Sequence, residues 1–379
     1  MKLTASSRSL AECLSIVARA VPPQPTVPVL SNVLIEASED AVRMTATTLE
    51  LTITASVAAA VQRQGRITVP ARLLTDFVSS IADAPCTLSR DARAQMLDVR
   101  CGLHQGQFHG LPAEDFPPLP TSDDDGWSCF EVMAADLRRA IVQTAHAAAP
   151  AHDSRAALTG VALSVEGEKM VLAATDGHRL AVKSLALVNP RVGPALDEAV
   201  IVAARHLTEV ARLLSRDDGA VNVIVGADRN HIRFEAPGVD VTSRLIEGRY
   251  PDYRQVIPRG AATRVSTQTA DLLREVRTAS VLAAEATHPL QLNIGPDAMR
   301  LVAHTAEVGR DEASVPVETV GDATQIALNA RYVVDALSGM DAERVTLALT
   351  GALAPCTLRP CGPADDEYVY VIMPVRLPA

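Results

Sequence analysis

A chain of 379 residues is too long for one ordinary core and is expected to divide into two or three domains. Hydrophobic residues make up 48% and aromatics only 3%, so the cores should be built from Val, Leu, Ile and Ala. No apolar run nears the roughly 20 residues of a membrane span and residues 1–5 lack a signal-peptide core, which leads to the expectation of a soluble, cytoplasmic protein. The net charge of −10 argues, as a total, against nucleic acid. Distribution can overrule the total. Acidic residues gather in Asp123-Asp124-Asp125 and Asp365-Asp366-Glu367, whereas predicted helices carry Arg8, Arg19, Arg138, Arg139, Arg205, Arg212, Arg274, Arg277 and Arg331. Six cysteines without a C-x-x-C pair and nine histidines without metal spacing predict no disulfide framework, no metal and no cofactor.

In chain order, Leu10, Cys13, Leu14 and Val17 have the spacing of an amphipathic helix over 8–20, ended by Pro22-Pro23. Strands are predicted from Val29 to Glu36, Ala41 to Ala46 and Leu49 to Val57, then a helix from Ala71 to Ile81 opened by Pro70. Strands from Cys86 to Gly110 lead to an extended connector, Leu111 to Pro120. The order then restarts: a helix from Ala134 to Ala147, a hairpin within Val161–Val182, a strand and helix over Val200–Arg216, strands to Ile246, and the connector G-R-Y-P-D-Y at Gly248–Tyr253. A third round runs through helices at Thr269–Ala284 and Asn329–Gly339, with strands at Leu290–Val317 and Val345–Val375.

The rounds align by residue. Val69-Pro70-Ala71-Arg72, Val202-Ala203-Ala204-Arg205 and Leu328-Asn329-Ala330-Arg331 correspond, as do Leu10, Leu137 and Leu272. The hairpin tip aligns as Ala46-Thr47-Thr48-Leu49, Ala174-Thr175-Asp176-Gly177 and His304-Thr305-Ala306-Glu307. Three copies of one α+β fold are therefore expected, each with two helices and about eight strands. The period is too long for a solenoid, so each copy should hold its own core. In the central hairpin a tight Asp176-Gly177 turn is expected, with Asp176, His178 and Arg179 at its tip. Within the hairpin two readings stay open: a catalytic Asp/His pair, or the rim of a binding surface.

The chain resembles the bacterial DNA polymerase III β-subunit family along its whole length. The motifs are P-T-V-P-V-L-S-N (Pro25–Asn32), L-P-A-E-D-F-P (Leu111–Pro117), A-T-D-G-H-R-L-A-V (Ala174–Val182), E-G-R-Y-P-D-Y (Glu247–Tyr253) and V-I-M-P-V-R-L (Val371–Leu377). The resemblance implies three tandem clamp domains at 1–122, 129–255 and 256–379, each with two helices on a curved antiparallel sheet. It implies a homodimeric, head-to-tail ring around duplex DNA without sequence reading, and no catalytic site. Replicative polymerase, the clamp loader and other partners are expected to dock a short linear motif, in a cleft at Leu158, Thr175, Gly177, His178, Arg179, Leu180, Pro251, Val256 and Val371, Ile372, Met373, Pro374, Val375, Arg376, Leu377. An adjoining subsite matches Asn329, Tyr332, Leu353 and Pro355. Facing DNA, the resemblance places Gln24, Arg72, Arg138, Arg139, Arg205, Arg212, Arg274, Arg277 and Arg331; at the dimer seam it places Phe108, Val281, Leu282 and Glu307.

The chain departs from the family pattern at Gln24 and Gln255, where basic residues are usual, and at Gly106, where an aromatic is common; weaker DNA contact and looser ring closure are expected. These departures keep open a specialised second copy of the clamp, for example one tolerating an inhibitor. A hydrolase using Asp176 and His178 is the alternative from another class, disfavoured because no G-x-S-x-G elbow, P-loop or G-x-G-x-x-G is present.

Overall fold

The computed structural model describes residues 1–91, 95–119, 128–189, 196, 198–214, 219–283, 289–305, 309–362 and 367–376. Glu307, Leu377, Asp123-Asp124-Asp125 and Asp365-Asp366 lie outside them. Six α-helices are described: α1 (Ser7–Val17), α2 (Ala71–Ser79), α3 (Ala134–Thr144), α4 (Ala204–Leu213), α5 (Thr269–Leu282) and α6 (Ala330–Ser338). Each coincides with a predicted helix. On α1 the face read from the sequence, Leu10, Cys13, Leu14 and Val17, is the buried one, while α5 buries Leu272, Val276 and Ala279. The predicted last turns of the first and third helices tighten into 3-10 turns at Ala18–Ala20 and Ala145–Ala147, a common way for helix ends to satisfy their carbonyls.

The strand predictions need three corrections. A short strand precedes the first helix of every round, Lys2–Ser6, Ser128–Met133 and Thr263–Gln268. Each runs straight into its helix, with no turn residues to punctuate the change. Val29 and Leu30 belong to a 3-10 turn, Pro28–Ser31, and the strand starts at Asn32: Pro28 fixes its own φ and has no N–H for a ladder. The strand predicted from Leu49 starts at Leu51, because Leu49 sits in a turn at φ 75°.

Two compact units emerge from the contacts. One comprises residues 1–135, 188–196 and 212–245. It holds a five-stranded sheet and an eight-stranded sheet; in the latter, strand Val239–Arg244 pairs antiparallel with Leu51–Ala58, from Val239↔Ala55 to Ser243↔Leu51. The other comprises 136–187, 197–211 and 246–379, with a nine-stranded and a four-stranded sheet. There strand Tyr368–Ile372 pairs with Arg179–Ala186, from Arg179↔Ile372 to Lys183↔Tyr368. The units cut across the sequence repeat because a backbone ladder ties the hairpin of one copy to the last strand of the next. Both cores are aliphatic, with Phe130, Phe234, Tyr368 and Tyr370 as the largest buried rings. All six cysteines are free thiols; burial pushes Cys13 and Cys356 up to about 12. Among the described residues no helix is long and apolar enough to cross a membrane.

Candidate functional site

The central hairpin is built from strands Lys169–Thr175 and Arg179–Ala186. Its last cross-strand partners are Thr175↔Leu180, so the loop has four residues rather than the expected two-residue Asp-Gly turn. Side chains that bond the backbone explain the difference. Thr175 Oγ1 donates to Arg179 O at 2.6 Å and accepts from Gly177 N at 3.0 Å. Asp176 Oδ1 accepts from the N–H groups of His178 (2.9 Å) and Arg179 (3.0 Å), while Oδ2 accepts from Arg179 Nε at 2.9 Å. Gly177 supplies φ +93°, which side-chain-bearing residues reach only with strain. The Asp176 carboxylate is thus committed to the turn and to Arg179, not to the His178 imidazole, and the geometry gives the catalytic reading no support.

Beside this tip lies a cleft of about 250 Å³. Leu180 and Val371, cross-strand neighbours on adjacent strands, form its apolar floor and are 2% exposed each. Tyr253 and Ile257 pack against the same cluster. The connector contributes Pro251, Asp252, Tyr253 and Val256; the hairpin adds Thr175, Gly177, His178 and Arg179; Leu158 and Met373 complete the wall. The chain beyond the last strand is pinned by Met373 N donating to His178 O, and Val375 N to Ala327 O, both at 2.9 Å. Tyr250, one residue before Pro251, accepts Thr175 N on its hydroxyl at 2.9 Å, and burial raises the pKa of that hydroxyl.

Arg179 lines the cleft but does not stand free there. It is largely buried, its side chain 10% exposed, and its donors go inward. Besides Asp176 they reach Asp335 Oδ2, Tyr370 OH (3.3 Å) and His146 O (2.6 Å), with the guanidinium 4.4 Å from the Tyr332 ring centroid. Burial works against its charge, but Tyr370, Asp335 and Asp176 prevail and raise its pKa. Arg155, which the sequence reading did not name, braces the tip from outside: it pairs with Asp153 and donates to Asp176 O at 3.1 Å, its hydrogen bonds holding Asp153 down to about 2.

Of the other expected cleft residues, Ile372 points to the opposite sheet face and is fully buried, as strand alternation requires. Pro374 and Val375 are half-buried and Arg376 is exposed. Asn329 caps α6, accepting from Arg331 N (2.9 Å) and Tyr332 N (3.3 Å). Leu353 is 71% exposed and Pro355 half-buried; neither lines the cleft, and nor does Asn329 or Tyr332. Asp252 and Tyr253 line it without having been named; the connector motif that ends on Tyr253 was the available signal.

Among the DNA-facing candidates, Gln24, Arg72, Arg139, Arg205, Arg212, Arg274, Arg277 and Arg331 are exposed and Arg138 is half-buried. Several already have partners. Arg274 pairs with Asp271 and Glu275, Arg139 with Asp341, and Arg277 donates to Ser338 Oγ. Of the seam candidates, Val281 is 74% exposed and Leu282 half-buried at the end of α5. Phe108 lies on the edge strand His104–His109. Its ring meets Phe77 edge-on, centroids 5.4 Å apart, and a Cβ on Gly106 would stand 2.9 Å from Phe77 Cζ. Phe77 thus fills the space an aromatic at 106 would need.

The first compact unit has a pocket of about 360 Å³ at the corresponding place, with Thr47, Leu49, Glu50 and Thr52 from a hairpin tip, Pro117-Pro118-Leu119 from a connector, and Thr242 and Arg244 from the adjoining strand.

Comparison with known proteins settles the family. The DNA polymerase III beta subunit N-terminal, central and C-terminal domains match residues 1–120, 131–252 and 254–376. The chain belongs to the DNA polymerase III β-subunit family. Its relatives include the beta sliding clamps of Synechococcus elongatus, 33% identical, and Escherichia coli, 30% identical, each matched over 100% of both chains. Among solved structures, the sliding clamps of Pseudomonas aeruginosa (TM-score 0.90, 32% identity) and Bacillus subtilis (0.91, 26%) are matched over 100% of both chains. The fold is three tandem clamp domains. As a sliding clamp of DNA replication, the chain is a processivity subunit of the polymerase and not itself catalytic.

Proposed function

We propose that two copies of this chain close head to tail around duplex DNA in the cytoplasm, and that the cleft beside the central hairpin captures short peptide segments of the replicative polymerase, the clamp loader and other partners. The cleft carries this reading: an apolar floor of Leu180 and Val371 beside backbone groups, His178 and Arg179 is suited to hold a Leu or Phe anchor and orient the chain around it. The exposed helix arginines fit loose phosphate contact that permits sliding. Domain bounds of 1–122, 129–255 and 256–379 fit the repeat.

The seam reading rests on exposed Val281 and on Phe108 of the edge strand, whose ring packs on Phe77 of α2. The test has two parts. A labelled peptide with adjacent Leu and Phe should bind saturably, and the protein should stay on closed circular DNA through a salt wash and leave when the circle is cut. Absence of peptide binding would remove the cleft assignment, and retention on linear DNA would remove topological linkage. The Pseudomonas aeruginosa clamp is known bound to griselimycin; failure of this chain to bind it would favour the specialised second copy.

A further inference from the structure

We propose that Asp335, which does not line the cleft, is a positioning residue for it: its carboxylate locks the Arg179 guanidinium over Tyr332, and this lock fixes the hairpin tip on which peptide affinity depends. The proposal rests on the cleft reading above and assigns a residue that reading does not contain.

The argument starts from two turns that share one construction. At the tip of the first hairpin, Thr47 pairs with Thr52, leaving a four-residue loop. Thr47 Oγ1 donates to Leu51 O at 3.3 Å and accepts from Leu49 N at 3.0 Å; Thr48 Oγ1 accepts from Leu51 N at 3.0 Å. Thr175 and Asp176 make the matching bonds to Arg179 and Gly177. Leu51 therefore occupies the place of Arg179, and it is buried at 4% exposure. The turn is satisfied by an apolar residue there. An arginine in that place brings a desolvation cost that the fold does not require.

The cost is met by two carboxylates. Asp176 already accepts two backbone N–H groups on Oδ1, so Asp335 is the counter-ion that has no other task in the turn. It lies on α6 three residues after Tyr332, on the same helix face, with its side chain 29% exposed. One guanidinium is thus held at its edge by Asp335, at its tip by His146 O and Tyr370 OH, and across its plane by the Tyr332 ring. Arg179 also lines the cleft, while Tyr332 was placed in the adjoining subsite. The lock therefore joins the two parts of the binding surface. Without the Asp335 charge, the guanidinium loses one of its two carboxylate partners, and the tip it shares with Asp176 is held less firmly beside the cleft.

The test uses the full-length protein and a fluorescent peptide carrying adjacent Leu and Phe. Asp335→Asn keeps shape and one acceptor oxygen but removes the charge; it should weaken the peptide about tenfold, and Asp335→Glu should recover to within about threefold of wild type. Hydrogen exchange of the His178 and Arg179 amides, whose acceptor is Asp176, should quicken in Asp335→Asn and not in Asp335→Glu. A merely structural role would leave both readouts unmoved in folded protein. If Asp335→Asn does not fold, Tyr370→Phe, which removes only a hydroxyl, should weaken the peptide about twofold to threefold. Asp335→Asn binding within twofold of wild type, with tip amides equally protected, overturns the proposal. A wild-type protein that binds no peptide overturns the cleft reading instead.

Discussion

Two hairpin tips, residues 47–52 and 175–180, follow the same hydrogen-bond plan and border pockets built from matching pieces. What differs is the side chains. Where the central copy has Leu180, Val371 and Met373, the first has Thr52, Thr242 and Arg244, and Arg244 pairs with Glu50 at 3.4 Å across its pocket. The fold makes the hollow twice; only one hollow has an apolar floor. Duplication supplies a concavity, and a handful of substitutions decide whether it suits a peptide anchor or water.

The strongest way to break this comparison is a charge on the apolar floor. Leu180→Asp should weaken the cleft peptide by at least about a hundredfold, since a buried carboxylate would replace an apolar anchor contact; Thr52→Asp, its counterpart, should leave binding within twofold. Titration of the peptide against both variants checks this.

The second concerns His206 on α4, aligned with Leu73 on α2. Leu73 is 63% exposed and His206 only 4%. Burial, then Arg205, lowers the His206 pKa from 6.5 to about 4, and its Nε2 accepts from Arg205 Nε at 3.2 Å. The unfolded chain then binds a proton that the folded one refuses, so stability falls as pH drops from 6.5 toward 4, by about 2 to 3 kcal/mol over the full window. Urea midpoints between pH 7 and 5 should fall less steeply in His206→Leu; identical slopes would contradict the assignment.

Smaller effects belong to the tips themselves. Gly177→Ala should cost about 1 kcal/mol, because φ is +93° and Arg155 Nη1 lies 3.1 Å from the new Cβ. Leu49, half exposed and at φ 75°, should respond in the opposite direction, with Leu49→Gly stabilising by about 0.5 kcal/mol. Thermal melts of both variants read this, and a shared sign would show that the two turns are not built alike.

Much of the fold was legible because its signals are local. The buried face of α1 is written in Leu10, Cys13, Leu14 and Val17, and the threefold alignment follows from residues before each second helix. The Asp-Gly turn was misread because Asp176 and Thr175 bond backbone groups, which lengthens the loop in a way dipeptide preference does not reveal. The inward bonding of Arg179 was hidden for a different reason. Its partners Asp335 and Tyr370 are 156 and 191 residues away in the chain, and no local pattern announces a contact that only the folded sheet brings about. Phe77 over Gly106 was hidden likewise, since the two lie on different elements.

Peptide stoichiometry on the intact protein tests the central claim most directly. Isothermal titration with the Leu-Phe peptide should give one site per chain in wild type, one in Leu49→Asp at the first tip, and none in Leu180→Asp. Binding that survives Leu180→Asp, or disappears with Leu49→Asp, would place the peptide in the other hollow and contradict the account.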